Sequence, residues 1–160
     1  DFSLPERFKL EYIDEKGEIK RPVVIHRAIA GSLERFFAIL VEHYAGAFPL
    51  WLSPVQVAIL PVSDKFIDYG KEIKKKLERN MIRVELNADN KTLGGKIRQS
   101  TLQKIPFMII IGEKESQKNV GAKFISPAMV TVRTREGKDL GMLEINKFIN
   151  QLKSQIENFS

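Results

Sequence analysis

The run Val55-Gln56-Val57-Ala58-Ile59-Leu60 decides the fold of this 160-residue chain. It follows Pro54, is short and is almost wholly apolar, which is typical of a buried strand. An amphipathic helix is predicted next, from a cap at Asp64 to about Arg79, and Ile82–Leu86 then alternates like a second strand. Because a strand, a helix and a strand follow one another, parallel pairing of the two strands is favoured.

The chain beyond Leu86 continues this alternation and then changes to a hairpin. The predicted elements are a short helix near Lys96–Lys104, a fully apolar strand over Phe107–Ile111, strands over Val130–Arg135 and Leu140–Leu143, and an amphipathic helix over Glu144–Asn158. The order β-α-β-α-β-β-β-α predicts an α/β domain, a mixed five-stranded sheet flanked by about three helices.

The first part of the chain reads as a separate and smaller piece, with too few elements to bury a core of its own. Its predicted order is a strand over Phe8–Ile13, a turn over Asp14–Glu18, a β-rich run over Ile19–Ile29, and a helix that Ser32 caps and Gly46 ends. We expect a boundary at Phe48–Pro54, which divides the chain into residues 1–50 and 54–160. The chain begins at Asp1 without an initiating Met, and we expect it to be a piece of a longer protein.

The composition limits the classes of partner. The formal net charge is +6, an excess expected of a domain that meets a polyanion, although many basic proteins bind no nucleic acid. The sequence has no cysteine, which excludes disulfides and thiolate metal sites within the chain and fits a reducing compartment. No apolar run approaches the roughly 20 residues that a membrane-spanning helix needs, so we expect no membrane partner.

Four stretches of the sequence resemble the threonyl-tRNA synthetase family. They are Arg21–Phe36, Ala45–Val57, Gly94–Arg98 and Val132–Gly141. The first is similar to motif 3 of these class II enzymes, and the second is similar to their passage into the anticodon-binding domain. The likeness spans nearly the whole chain. It implies the C-terminal part of such an enzyme, with the end of the catalytic domain in residues 1–50 and an anticodon-binding domain in residues 54–160.

Arg35 and Ser32 are candidate ATP-binding residues. Arg35 lies about one turn inside the helix that Ser32 begins, where a guanidinium adds a planar donor fork to the positive end of the helix dipole. The resemblance implies that Arg35 holds ATP during adenylate formation and stabilises charge at the α-phosphate, which makes it the candidate catalytic residue. The alternative is a solvated arginine paired with a nearby carboxylate.

His26 is the candidate metal ligand. A lone histidine among strand residues is usually a hydrogen-bonded, partly buried residue. The resemblance implies instead a ligand of the family's catalytic zinc, which grips the amino group and hydroxyl of threonine and so excludes valine. Such a zinc needs about three protein ligands, and His43 is the only other histidine. The remaining ligands are therefore expected outside this sequence, and the isolated chain is expected to hold no zinc.

Four residues match the family's anticodon readers: Asn90, Arg98, Glu115 and Arg133. The unpaired bases of an anticodon expose their Watson–Crick edges, which amide, carboxylate and guanidinium groups can read. Taken alone, each residue also fits the alternative of a salt-bridged, solvated strand end. The stretch Ser116–Met129 is longer than the short turn expected in the family, which puts the placement of Glu115 in doubt.

Together these interpretations predict a part of a threonine–tRNA ligase. The whole enzyme would activate threonine with ATP, magnesium and zinc, transfer it to threonine tRNA, act in the cytoplasm, and form a homodimer through regions outside this chain. The chain itself lacks motifs 1 and 2, so it is expected to bind tRNA weakly and to be inactive, and no DNA partner is expected. Two alternatives remain, a non-catalytic RNA-binding accessory protein with the same fold and another class IIa synthetase; His26 and Arg35 argue against the first, and His26 against the second.

Overall fold

A computed structural model describes residues 1–116 and 128–159, except the side chains of Lys114 and Ser116. The chain forms two compact units, Asp1–Leu40 and Val41–Ser160. These units are the compact parts of the chain, and their boundary does not test the predicted division between residues 1–50 and 54–160. That division stays a prediction. Most of the long stretch Ser116–Met129, residues 117–127, lies outside the described part of the chain.

The first unit has the predicted order of strand, turn, strand and helix, with one addition. Its elements are α1 (Ser3–Arg7), β1 (Tyr12–Ile13), β2 (Ile19–Lys20), which pairs antiparallel with β1, and α2 (Leu33–Tyr44), which continues into the second unit. Helix α1 was not predicted; the Asp1 carboxylate accepts hydrogen bonds from the backbone N–H groups of Ser3 and Leu4 at its start.

The predicted β-rich run Ile19–Ile29 is wrong in its length. Only Ile19 and Lys20 form a strand, so His26 lies outside regular secondary structure. Pro22 has no N–H to donate to a ladder, which explains why pairing stops before it. The length of this apolar run therefore overestimates the length of the strand.

The second unit contains the predicted mixed five-stranded sheet. Its elements are β3 (Val57–Pro61), a 3₁₀ turn at Asp64–Phe66, α3 (Ile67–Glu78), β4 (Val84–Leu86), α4 (Leu93–Leu102), β5 (Phe107–Ile111), α5 (Glu113–Ser116), β6 (Met129–Thr134), β7 (Asp139–Glu144) and α6 (Ile145–Glu157). The strand order is β4-β3-β5-β6-β7, with β3 parallel to β4 and β5 and the remaining pairs antiparallel. Three long helices, α3, α4 and α6, accompany the sheet, as predicted.

The two faces of the sheet carry different helices. On one face, Ile59 and Ile109 pack with Ile73 and Leu77 of α3 and with Phe148 of α6 in the main apolar cluster. On the other face, a smaller cluster of Ala58, Leu60, Ile105 and Met108 packs against Leu93 and Ile97 of α4. Because β3 is covered on both faces, all five of its residues are buried. None of the described helices is long and apolar enough to cross a bilayer.

The face that carries α4 opens towards β6 and β7. Met108 lies opposite Arg133 and Ile110 lies opposite Thr131, and directly opposed residues of paired strands point to the same face. Side chains on this face become more exposed from β5 to β7. Met108 on β5 is fully buried, Thr131 and Arg133 on β6 are part-exposed, and Met142 on β7 is exposed. We call this part of the sheet, formed by Ile110, Thr131, Arg133 and Met142, the open face.

Candidate nucleic-acid interface

Glu115 ties the end of β5 to the open face. It lies in α5, just after β5, and is only 7% exposed. Its Oε2 accepts a hydrogen bond of 2.9 Å from the backbone N–H of Gly112, and its Oε1 accepts one of 2.6 Å from the Thr131 hydroxyl. Hydrogen bonds to a carboxylate are short and strong. The structure therefore fixes this carboxylate at the carboxyl end of β5, beside β6.

Arg133 lies two residues after Thr131 on β6 and therefore on the same face. Its Nε is buried and, among the described residues, has no hydrogen-bond partner. Gly137 lies beside the guanidinium, since a Cβ there would be 3.4 Å from Arg133 Nη2. A buried donor without a partner costs about 1–3 kcal/mol. The structure thus brings Glu115 and Arg133 to one face, with donor capacity left on the arginine.

Arg98 lies on the solvent side of α4. Lys96 and Ser100 are the buried residues of this helix, and Arg98 between them is exposed, as expected for a residue roughly 200° around the helix from each. The helix begins at Leu93, three residues before its predicted start, because the Thr92 Oγ1 accepts a hydrogen bond of 3.2 Å from the Gly95 N–H.

Lys96 is a residue that the sequence did not single out. It is 3% exposed, and its Nζ donates a hydrogen bond of 2.9 Å to the carbonyl of Pro61, the last residue of β3. Burying an ammonium is costly unless it is hydrogen-bonded. This contact fastens α4, and with it Arg98, to the carboxyl end of β3. The lysine in Gly94-Gly95-Lys96-Ile97-Arg98 was a possible signal, although an exposed lysine is the commoner case.

Asn90 lies in the loop between β4 and α4 and is exposed. The loop is braced by the Asn87 side chain, which accepts from the Asp89 N–H, and by Lys91 Nζ, which donates to Asp89 and to Gln99 of α4. Strands β3 and β5 separate β4 from β6, which amounts to roughly 14 Å at about 4.8 Å per strand. Asn90 therefore does not join Glu115 and Arg133 but lies on the same carboxyl edge of the sheet as Glu115.

His26, in the first unit, is oriented by Asp1. Its Nε2 lies 2.7 Å from Asp1 Oδ2, and its side chain is 61% exposed. Among the described residues there is no group of three or more His, Cys, Asp or Glu residues that would hold a metal ion. A carboxylate that holds one ring nitrogen of a histidine leaves the other, here Nδ1, as the nitrogen that can bind a metal.

Ser32 and Arg35 lie together at the start of α2. The Arg35 N–H donates to Ser32 Oγ at 3.4 Å, which is the geometry of a helix N-cap. The Ser32 hydroxyl donates to Glu34 at 2.7 Å, and this hydrogen bond, with one from the Glu34 backbone, lowers the pKa of the Glu34 carboxyl. Arg35 is exposed and forms no ion pair within the described residues. Arg35 thus places a positive charge in the first turn of α2, where the helix dipole also favours an anion.

Two protein families match different parts of the chain. The family described as "Anticodon binding domain" matches residues 56–155, and the family described as "tRNA synthetase class II core domain (G, H, P, S and T)" matches residues 1–44.

Curated relatives and a solved structure resemble nearly the whole chain. Proteins named "Threonine--tRNA ligase" from Acetivibrio thermocellus and Clostridium botulinum strain Hall are 49% and 46% identical over 158 residues, 99% of this chain. The chain spans about a quarter, 24%, of the length of these relatives. A crystal structure of the RNA binding domain of threonyl-tRNA synthetase from Cryptosporidium parvum Iowa II superposes with a TM-score of 0.70 at 36% identity, over 96% of this chain and 37% of that chain.

Proposed function

We infer that this chain, which belongs to the anticodon-binding domain family, recognises the anticodon of threonine tRNA on behalf of a threonine–tRNA ligase. The observation that carries this proposal is the match to that family over residues 56–155. The net charge of +6 adds the sequence-independent attraction to phosphate that such binding needs. Neither an accessory RNA-binding protein nor a synthetase for another amino acid is favoured by any relative compared above, since those relatives are named threonine–tRNA ligases.

Arg133 and Glu115 are proposed as readers of base edges at the open face. The Arg133 guanidinium offers a planar fork of five donors, and its Nε has no partner among the described residues. The Glu115 carboxylate accepts hydrogen bonds from Gly112 and Thr131, and a carboxylate is an acceptor of the type that can pair with guanine N1–H and N2–H. Its two hydrogen bonds hold it in place before any base arrives, which lowers the cost of ordering on binding.

Arg98 and Asn90 are proposed to contact the same anticodon loop at other nucleotides. Both side chains are exposed, and each is carried by an element that is fastened to the sheet: Arg98 by α4 through Lys96, and Asn90 by the loop that Lys91 braces. A guanidinium can bind a phosphate or a base edge, and an amide can pair with a base edge. The roughly 14 Å between β4, which leads to Asn90, and β6, which carries Arg133, suits a ligand whose bases are splayed apart.

The whole protein is proposed to attach threonine to its tRNA with ATP and magnesium, as a homodimer in the cytoplasm. Arg35 would bind ATP at the start of α2, with Ser32 holding the helix end in shape, and would stabilise charge on the α-phosphate. His26 would supply one zinc ligand through Nδ1, oriented by Asp1, with the other ligands from outside this chain. When bound, that zinc would favour threonine over valine through the threonine hydroxyl.

Filter binding of the 160-residue chain to threonine tRNA, and to versions with substituted anticodon bases, tests the proposal. Substituting the second or third anticodon base is expected to weaken binding by about 1–3 kcal/mol per lost base contact, and Arg133→Ala is expected to remove that discrimination. Arg79→Ala is the matched control, because it removes the same charge from an exposed position at the end of α3, on the opposite face of the sheet. Equal binding of the unsubstituted chain to every tRNA would refute the proposal.

A further inference from the structure

The segment that joins α2 to β3 is held along its backbone by side chains of the sheet. This anchored segment comprises residues 46–54. Four of its carbonyl groups accept hydrogen bonds from side chains outside the segment: Phe48 from Arg135 Nη1 at 2.8 Å, Leu50 from Gln56 Nε2 at 2.9 Å, Trp51 from Arg83 Nη2 at 2.7 Å, and Ser53 from Arg83 Nε at 2.9 Å. Connecting segments usually run over the surface and are more mobile than the elements they connect. This one is bound instead.

Gln56 forms the buried centre of the arrangement. Its side chain is fully buried, and both ends of its amide are used. Nε2 donates to the Leu50 carbonyl, while Oε1 accepts a hydrogen bond of 2.9 Å from the Arg83 N–H. Gln56 is the residue immediately before β3, and its amide therefore connects the anchored segment to Arg83, the residue immediately before β4.

Arg83 and Arg135 hold the anchored segment from two sides. Arg83 precedes β4 and binds two carbonyls with one guanidinium, whereas Arg135 follows β6 and binds the Phe48 carbonyl. Hydrogen bonds that involve a charged donor are roughly twice as strong as neutral ones. Both arginines lie at the edge where β3, β4 and β5 begin, which is the edge opposite to Asn90 and Glu115.

Side chains of the anchored segment add apolar contacts to these hydrogen bonds. Leu50 is buried in the main apolar cluster. The Trp51 ring lies edge-on to the ring of Phe159, after α6, with centroids 5.5 Å apart and planes at 85°. Such aromatic pairs contribute beyond their buried area. The anchored segment is thus fastened to β3, to the β6–β7 hairpin and to the end of the chain's last helix.

We propose that Gln56, Arg83 and Arg135 are positioning residues that hold the anchored segment, through which the chain leaves α2, in one position on the anticodon-binding sheet. The proposal rests on the proposed function, because rigidity matters only if the sheet holds a tRNA whose other end must be charged. A free connection of nine residues would have an end-to-end distance of roughly 15–18 Å with comparable fluctuations. Group transfer requires reacting atoms about 3–3.5 Å apart, so such freedom would lower the fraction of bound tRNA in a reactive position.

The test uses the ligase that contains this chain and the double variant Arg83→Met, Arg135→Met, which removes the donors and keeps much of each side-chain stem. The kcat for charging threonine tRNA is expected to fall roughly tenfold. Threonine-dependent ATP–pyrophosphate exchange, which needs no tRNA, and the Kd for threonine tRNA are expected to stay within about threefold, because the arginines lie at the edge opposite to Asn90 and Glu115. Arg79→Met is the control for loss of charge and is expected to change none of the three.

Release of the anchored segment can be measured separately in the 160-residue chain. Trp51 is its only tryptophan, so acrylamide quenching of the tryptophan fluorescence reports the segment directly and is expected to increase in the double variant. Increased quenching with unchanged charging would overturn the proposal, and so would unchanged quenching or an equal loss of charging and pyrophosphate exchange. If the double variant does not fold, Arg83→Lys serves instead; it keeps the charge but loses the two-carbonyl fork, and an unchanged charging rate there would also count against the proposal.

Failure of the proposed function would appear in the unsubstituted protein, as binding that ignores the anticodon. Failure of the positioning proposal would appear only in the variants, while the unsubstituted protein still discriminates among anticodons. The two outcomes are therefore distinguishable within one set of measurements.

Discussion

Helices α2 and α6 have similar lengths, 12 and 13 residues, and both are amphipathic, yet their apolar side chains have opposite environments. In α6, Ile145, Phe148, Ile149 and Leu152 are buried against the sheet. In α2 no residue is buried, and Phe36, Phe37 and Ile39 are all exposed. An amphipathic pattern shows that a face can be covered, but the surface that covers it comes from elsewhere in the fold.

The same contrast holds for the two units as wholes. Residues 41–160 surround a sheet whose central strands β3 and β5 are almost wholly buried, whereas the apolar residues of β1 and β2 are exposed. Helical stability comes mainly from the packing of an amphipathic face. The unfolding transition of this chain should therefore reflect loss of the sheet in residues 41–160, which we call the sheet unit. Substitutions in residues 1–40 should scarcely change the free energy of that transition.

The largest expected effect compares equivalent phenylalanines of the two helices. Phe148→Ala removes a fully buried ring that packs edge-on against Phe107 at 5.6 Å, and should lower the free energy of unfolding by about 3–5 kcal/mol. Phe36→Ala removes an exposed ring and should change it by no more than about 0.5 kcal/mol. Urea unfolding of the 160-residue chain, followed by Trp51 fluorescence, measures both. Equal losses would show that α2 is packed as firmly as α6.

A smaller effect compares the caps of two helices. Thr92→Ala removes the side chain that accepts from the Gly95 N–H at the start of α4, and should cost about 1 kcal/mol in the same unfolding measurement. Ser32→Ala removes the longer hydrogen bond with the Arg35 N–H at the start of α2. It should leave the unfolding transition unchanged, because substitutions in residues 1–40 are expected to have little effect on that transition. Thr92→Ser keeps the hydroxyl and is the control; a loss as large as that of the alanine variant would exclude capping as the cause.

The sheet was predictable from the sequence where local pattern and burial agree. Phe107–Ile111 has the same bounds in prediction and structure, because all five of its residues are apolar and all but Ile110 are buried. The run Ile19–Ile29 has similar composition but forms only a two-residue strand, because nothing in composition records which partner is available for pairing. Helix α1 was missed since five residues are too few to show a period.

The sequence predicted which elements carry the residues of the candidate interface, but it did not predict the hydrogen bonds of those residues. The sequence placed Arg133 on a strand and Glu115 after β5, and both positions hold in the structure. It did not reveal that Thr131, 16 residues away, donates to Glu115, or that Lys96 is buried on the Pro61 carbonyl, 35 residues away. Such contacts depend on strand order and helix placement, which leave no periodic signal. Whether these side chains read a tRNA stays a prediction for the binding experiment.

The smallest expected effect is electrostatic and compares one carboxyl group from each unit. A hydrogen bond from Lys20, with others from the Glu18 and Lys16 backbones, lowers the pKa of Asp14 in the β1–β2 hairpin, and a hydrogen bond from Lys71 lowers that of Asp68 in α3. Because folding lowers each pKa, each ionised carboxylate stabilises its element above the ordinary pKa of 3.8, and this contribution is lost as the pH falls through the lowered value. Lys20→Met should raise the pKa of Asp14 and leave Asp68 unchanged, and Lys71→Met should do the reverse.

Carboxyl titration by NMR measures both values in the same sample, so each site is the control for the other. Asp68 is exposed, and Asp14 is half-buried but pairs with an exposed Lys20; surface pairs of this kind contribute little to global stability. Neither variant should therefore shift the urea midpoint of the sheet unit. A shift of that midpoint in Lys20→Met would contradict the expectation that substitutions in residues 1–40 scarcely affect unfolding, because Asp14 and Lys20 both belong to the first unit. If Lys20→Met shifts the Asp14 pKa but leaves the urea midpoint unchanged, Lys20 acts only within its own hairpin, where β1 and β2 pair over only two residues each.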